Sequence, residues 1–227
     1  MKKKKIKNPL IKRIPKELIG DWKKYLVVFL FLVLTIGFVS GMYVANESMI
    51  TSANEGVTKY KQEDGHFELK KQADATLLSA IETGEKADFK ATKTTLYENF
   101  FRNEEEDYNN DGKKDGTIRV FAKTKDINLA CMLQGSFPQK ADEIAIDRMH
   151  ADNVGIKVGD TVTVSGETYK VVGLLAYVNY STLHEKTTDL MFDALKFDVA
   201  MVTQDGFDRL HKSIHYTYAW KYEREPA

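Results

Sequence analysis

Asp107-Tyr-Asn109-Asn-Asp111-Gly112-Lys-Lys-Asp115 carries the first nine positions of a calcium loop, D-x-N-x-D-G-x-x-D. Oxygens at alternate positions and a glycine at the bend suit a hard cation. The twelfth position is Ile118, where a bidentate carboxylate belongs, and Lys113 and Lys114 stand inside the loop. The expectation is therefore an acidic solvated turn, with calcium binding left open. His211 and His215 lie four apart, the spacing of paired zinc ligands on a helix, but H-K-S-I-H lacks the glutamate base of H-E-x-x-H. Cys131 is the single cysteine and stands in an apolar stretch that reads as a helix, where a thiol is inert. No G-x-x-x-x-G-K-[ST] loop is present, and no serine, cysteine or histidine stands in a nucleophile setting. No catalytic, cofactor-binding or metal residue is assigned, and the chain reads as a non-enzyme.

Tyr25 to Asn46 carries no charged side chain. At ~1.5 Å rise per residue, ~20 helical residues span the ~30 Å hydrocarbon core of a bilayer. A cleaved signal peptide has a shorter apolar region, roughly 7–15 residues, and a small-x-small site. Here the nearest candidate, Tyr43-Val44-Ala45, opens on a bulky ring, so the segment reads as a retained anchor. Trp22, Tyr25 and Tyr43 fall where aromatic belts form. Lys2, Lys3, Lys4, Lys5, Lys7, Lys12, Arg13, Lys16, Lys23 and Lys24 precede it against Glu17 and Asp21. That asymmetry predicts a cytoplasmic N-terminus and an exterior remainder. Gly37 and Gly41 form a G-x-x-x-G pair that lets another helix approach.

Lys+Arg and Asp+Glu both total 33, yet ten basic and two acidic residues precede the anchor, which leaves 23 basic and 31 acidic. An acidic exterior portion is no nucleic-acid binder. One cysteine excludes an intrachain disulfide. The sequence divides into a basic cytoplasmic or interfacial segment, 1–24, a membrane helix, 25–46, and an exterior domain, 47–227.

From Pro15, the residues Leu18, Ile19 and Trp22 outline a short amphipathic helix at the inner surface, or simply a basic flank. Met49, Ala53, Val57 and Tyr60 extend the membrane helix outward to a stop at Gly65. A strand over His66–Lys71 and a helix capped by Asp74 and stopped by Gly84 follow. An extended stretch near Thr92–Tyr97 leads into an acidic loop, Asn103–Gly116. Next come a strand at Thr117–Lys123, a helix at Asp126–Met132, a strand at Glu143–Asp147 and a small helix ending at Gly155. Thr161–Val164 and Tyr169–Ala176 form a hairpin about Ser165-Gly166. A strand, Val199–Val202, and a helix, Gly206–Ile214, complete an α+β pattern with a mixed sheet.

Arg13-Ile-Pro-Lys-Glu-Leu-Ile-Gly-Asp-Trp-Lys-Lys-Tyr-Leu26 resembles the start of the FtsX-like (MacB-type) ABC transporter permeases. Gly135-Ser-Phe-Pro138, Glu143-Ile-Ala-Ile146, Gly155-Ile-Lys-Val-Gly-Asp-Thr-Val-Thr-Val164 and Tyr169-Lys-Val-Val-Gly173 together resemble that family's extracytoplasmic signature. The resemblance implies a MacB-like periplasmic core on a membrane helix, a cytoplasmic ABC ATPase partner, and further permease helices or a second permease copy. It implies mechanical coupling in export, in lipoprotein, peptide or antibiotic handling, or in cell-wall regulation. Family members carry three further membrane helices, so the chain is expected to be the N-terminal part of a permease or half of a split one. The alternative is a single-pass exterior binding or sensor module. A tethered hydrolase would rest on His211 and His215 alone.

Overall fold

The computed structural model describes residues 13, 19–83, 94–180, 182–186 and 188–223. Helix α1, Trp22–Lys59, runs unbroken for 38 residues with no buried residue. Its length and composition suit a membrane crossing. At ~1.5 Å per residue it reaches ~57 Å, well beyond the ~30 Å of a bilayer core. The helix stops before Gly65. Lys61 is left-handed at φ 50°, Gln62 N–H donates to Val57 O at 3.0 Å, and Lys61 N–H to Thr58 O at 3.3 Å. That paired closure of the last carbonyls is a Schellman end built without glycine. The expected interfacial helix from Pro15 to Leu18, and Gly84, lie outside the described residues.

The chain divides at Asn54 and Glu55 into two units. In the second, strand β1, Gly65–Leu69, pairs with β10, Tyr216–Tyr222, which pairs with β2, Thr94–Glu98, in an antiparallel sheet. Helix α2, Ala75–Thr83, precedes β2, and Asp74 Oδ1 caps it by accepting Leu77 N–H at 2.7 Å. The aromatic run of β10 supplies this sheet's core. Tyr218 is fully buried, stacks on Phe67 and meets Phe100 edge-on.

A seven-stranded mixed sheet forms from β3 Phe101–Asp107, β4 Gly116–Ala122, β5 Ala130–Gly135, β6 Glu143–Asp147, β7 Thr161–Val164, β8 Glu167–Tyr177 and β9 Phe197–Val202. The order is β5-β8-β6-β9-β4-β3-β7, and β7 also pairs with the first half of β8. Pairing therefore closes in a ring from β8 through β6, β9, β4, β3 and β7 back to β8. The β3–β7 pairing that closes it is short, Glu106 and Asp107 against Val164 and Thr163. One face buries Ile118, Val120, Ile144, Ile146, Val162, Val164, Val171, Ala200 and Val202. The other buries Phe121, Ala145, Leu175, Tyr177, Val199 and Met201. Alternate residues of β4, β6 and β9 thus feed two cores, which explains their near-continuous apolar sequence. Helix α3, Arg148–Val154, sits between β6 and β7, and α4, Gln204–Asp208, follows β9. The fold is the α+β mixed-sheet domain on a long apolar helix that the sequence indicated.

Three expectations are corrected. The acidic loop begins at Tyr108, because β3 continues through Asp107; Glu104 and Glu106 occupy inward positions and disguise the strand. Asp126–Met132 is not helical. Asn128 is left-handed at φ 47°, and the backbone N–H groups of Asn128 and Leu129 donate to Lys61 O and Tyr60 O. Those tertiary bonds override local helix preference, and Cys131 consequently lies on β5. The last helix ends at Asp208 rather than Ile214. Lys212 N–H is taken by Glu104 Oε1 at 3.0 Å, and Arg102 Nη1 donates to Lys212 O.

Candidate functional site

His211 and His215 share no helix. His211 is exposed, whereas His215 pairs its backbone with Phe101, stacks its ring on Phe101 at 4.7 Å and places Nδ1 2.8 Å from Glu68 Oε1. The geometry does not bring them together. The acidic turn satisfies itself. Asp107 accepts Asp111 N–H at 3.1 Å and Gly112 N–H at 2.9 Å. Asn109 Oδ1 also accepts Asp111 N–H, and Asp115 Oδ2 accepts Tyr108 N–H at 3.1 Å. Ile118 is fully buried in β4, so its position offers the loop no ligand. Cys131 is half-buried and accepts the Tyr60 hydroxyl at 2.8 Å.

A groove of about 690 Å³ runs beside Phe101, Arg119, Phe121, Tyr180 and Glu68. Arg119 organises it. Its guanidinium stands 4.4 Å from the Phe101 ring and 5.2 Å from Phe197, a stabilising cation–ring arrangement. It donates to Asn103 Oδ1, Tyr180 Oη and Glu185 O at 3.0, 3.0 and 2.9 Å. Burial pushes the Tyr180 phenol up, against the opposing charge of Arg119. Leu190 and Met191, 98% and 83% exposed, make an apolar loop tip with the half-exposed Phe192.

The membrane-helix glycines are open, since a Cβ on Gly37 or Gly41 would meet nothing within 4 Å. Two glycines of the mixed sheet are crowded instead. Gly135 and Gly173 are register partners across β5 and β8. A Cβ on Gly135 would fall 2.2 Å from Val172 O, and one on Gly173 2.5 Å from Ser136 O. Glu143 accepts the N–H groups of Gln139 and Lys140 at 2.8 and 3.2 Å, fastening the turn after Pro138. Asp160 Oδ2 accepts Lys157 N–H at 2.9 Å, and Gly159 turns at φ 107°. The fully buried Tyr169 donates its hydroxyl to Gly206 O at 3.0 Å. Gly135, Glu143, Gly159, Asp160, Tyr169 and Gly173 of the signature each have a folding role.

Sequence reasoning missed a polar cluster at one end of the inner core. Glu106 on β3, His150 on α3 and Asp198 on β9 are each 0% exposed, and their nearest ligand-type atoms all lie within 4.8 Å of one another. Asp147 caps the start of α3, accepting Met149 N–H at 2.7 Å, and His150, three residues later, is buried. Burial opposes the charged imidazolium, but the Asp198 and Glu106 carboxylates outweigh it and raise the His150 pKa to about 9. Burial pushes Asp198 well above the carboxylate range and raises Asp147 too. The only sequence signal was two glutamates spaced to face inward on a strand, which charge alone argued against.

No family model and no curated protein matches the sequence. Solved structures similar to it include two exterior domains of transporters. The periplasmic region of MacB from Actinobacillus actinomycetemcomitans gives a TM-score of 0.38 at 10% identity over 66% of this chain. The chain spans 65% of that structure. The extracellular domain of the ABC-type transporter YknZ from Gram-positive bacteria gives 0.37 at 13% identity, covering 70% of this chain and 84% of that one. Both are exterior domains of the kind the sequence signature resembles.

Proposed function

We propose that the chain is the first membrane helix and extracytoplasmic domain of an FtsX-like ABC permease, linking a cytoplasmic ATPase to events outside the cell. The observation that carries this is the unbroken α1, 38 residues from Trp22 to Lys59. Its apolar run ends near Asn46, yet the helix continues for several turns. Its end is then tied by the backbone bonds of Tyr60 and Lys61 to Leu129 and Asn128. A continuous helix is stiff along its axis, so displacement at one end reaches the other. The basic excess before Tyr25 supports a cytoplasmic N-terminus. The signature around Gly135, Glu143, Gly159 and Gly173 supports the family.

Further permease helices, or a second copy, complete the membrane portion in this reading. Export, lipoprotein or peptide handling and cell-wall regulation all fit such a device. Purifying the tagged protein from its own cells in mild detergent after crosslinking tests the proposal. An ABC ATPase is expected in stoichiometric amount, and its consistent absence overturns the permease reading. A second reading, a single-pass exterior binding module, draws on the exposed Leu190, Met191 and Phe192 beside the groove. It predicts an exterior partner and no ATPase.

A further inference from the structure

Glu104 and Glu106 both turn inward from β3, yet their surroundings differ. Glu104 is satisfied by Ser165 Oγ at 2.5 Å and Lys212 N–H at 3.0 Å. Neither oxygen of Glu106 has a hydrogen-bond partner, and the same holds for His150 Nε2 and Asp198 Oδ2. These four atoms are buried polar groups of three elements that converge on one place. Leaving such groups unpaired in a dry interior is expensive.

His150 explains the direction. Its Nδ1 donates to Ala194 O at 2.7 Å, which fixes the ring and leaves Nε2 as the outward nitrogen. A backbone carbonyl on the far nitrogen is the usual way a ligating histidine is oriented. Nε2 then lies 3.3 Å from Glu106 Oε1, but the two do not meet hydrogen-bond geometry. They stand as a buried ion pair, with an Asp198 oxygen within 4.8 Å of both. The separation matches two ligands about a tetrahedral ion with bonds of about 2.0–2.1 Å, which places them roughly 3.4 Å apart.

Charge agrees. Two carboxylates and a neutral imidazole carry two negative charges, which one divalent cation cancels. Without an ion, the neighbouring carboxylates hold His150 toward its charged form and burial holds Asp198 toward its neutral one, so binding a cation here releases protons. Asp198 Oδ1 is already held by Val199 N–H at 2.7 Å and Asp147 N–H at 3.2 Å, so that oxygen is positioned and Oδ2 is free to ligate.

We propose that Glu106, His150 and Asp198 form a structural site for a divalent transition-metal ion of the zinc class. The mixed nitrogen and oxygen donors suit such an ion. The ion would clamp β3, α3 and β9, elements distant in sequence, from inside the barrel. It is separate from both His211/His215 and the acidic turn.

The test uses the purified full chain in detergent, stripped with chelator and then titrated with zinc alone. One zinc per chain is expected by elemental analysis after dialysis. At zinc 100-fold above Kd the melting temperature should rise by roughly 5–10 °C, and chelator should reverse it. Asp198→Asn and Glu106→Gln should each lower zinc affinity at least tenfold, while His211→Ala retains it. Should the variants not fold, the response of the unmutated chain decides. Failure to hold stoichiometric zinc, or a melting temperature indifferent to zinc and chelator, overturns the site. So does equal zinc retention by folded Asp198→Asn.

Discussion

Gly135 sits at φ 76° with a carbonyl where its side chain would be, whereas Gly112 is at φ 84° with nothing within 4 Å. The pair separates backbone strain from crowding. Gly112→Ala carries only the left-handed penalty, on the order of 1 kcal/mol. Gly135→Ala adds a clash with Val172 O that only movement of β5 away from β8 relieves, so its loss should be about 3 kcal/mol or more. Urea unfolding of the two variants checks this, and equal midpoints would contradict the close approach of β5 and β8. The same contrast shows what was legible at this scale. Gly135, Glu143, Gly159, Asp160 and Gly173 stood out as a spaced set, and each has a definite backbone task. Glu106, His150 and Asp198 did not, because their meeting depends on three strand and helix registers that no local spacing encodes.

At the scale of elements, period and turn chemistry carried far. The hairpin about Ser165-Gly166 has both residues at positive φ, 48° and 87°, as a type I′ turn requires. Strands β4, β6, β8 and β9 follow their apolar runs. Prediction failed where tertiary bonds outweighed local preference, at Asp126–Met132 and after Asp208, and where charges lay on inward positions of β3. β10 was overlooked although Tyr216, Tyr218 and Trp220 alternate as a strand should. Helix α1 is the element with a mechanical prediction. Two glycines inserted after Ala53 break its stiffness and shift its face, since glycine costs about 1 kcal/mol each in a helix. In cells, ATPase-dependent exterior function should be lost while membrane insertion and ATPase association persist. Retained function with the insertion contradicts transmission through α1.

For the whole molecule, the segregation of charge says more than its sum. Neutrality overall, 33 basic and 33 acidic residues, conceals a basic lead and an acidic remainder on either side of one apolar helix. Asp205 is exposed at the start of α4 and reports where that remainder resides. In a Cys131→Ser background, Asp205→Cys should react with a membrane-impermeant maleimide in intact cells. Reaction only after permeabilisation would place the barrel in the cytoplasm and contradict the account.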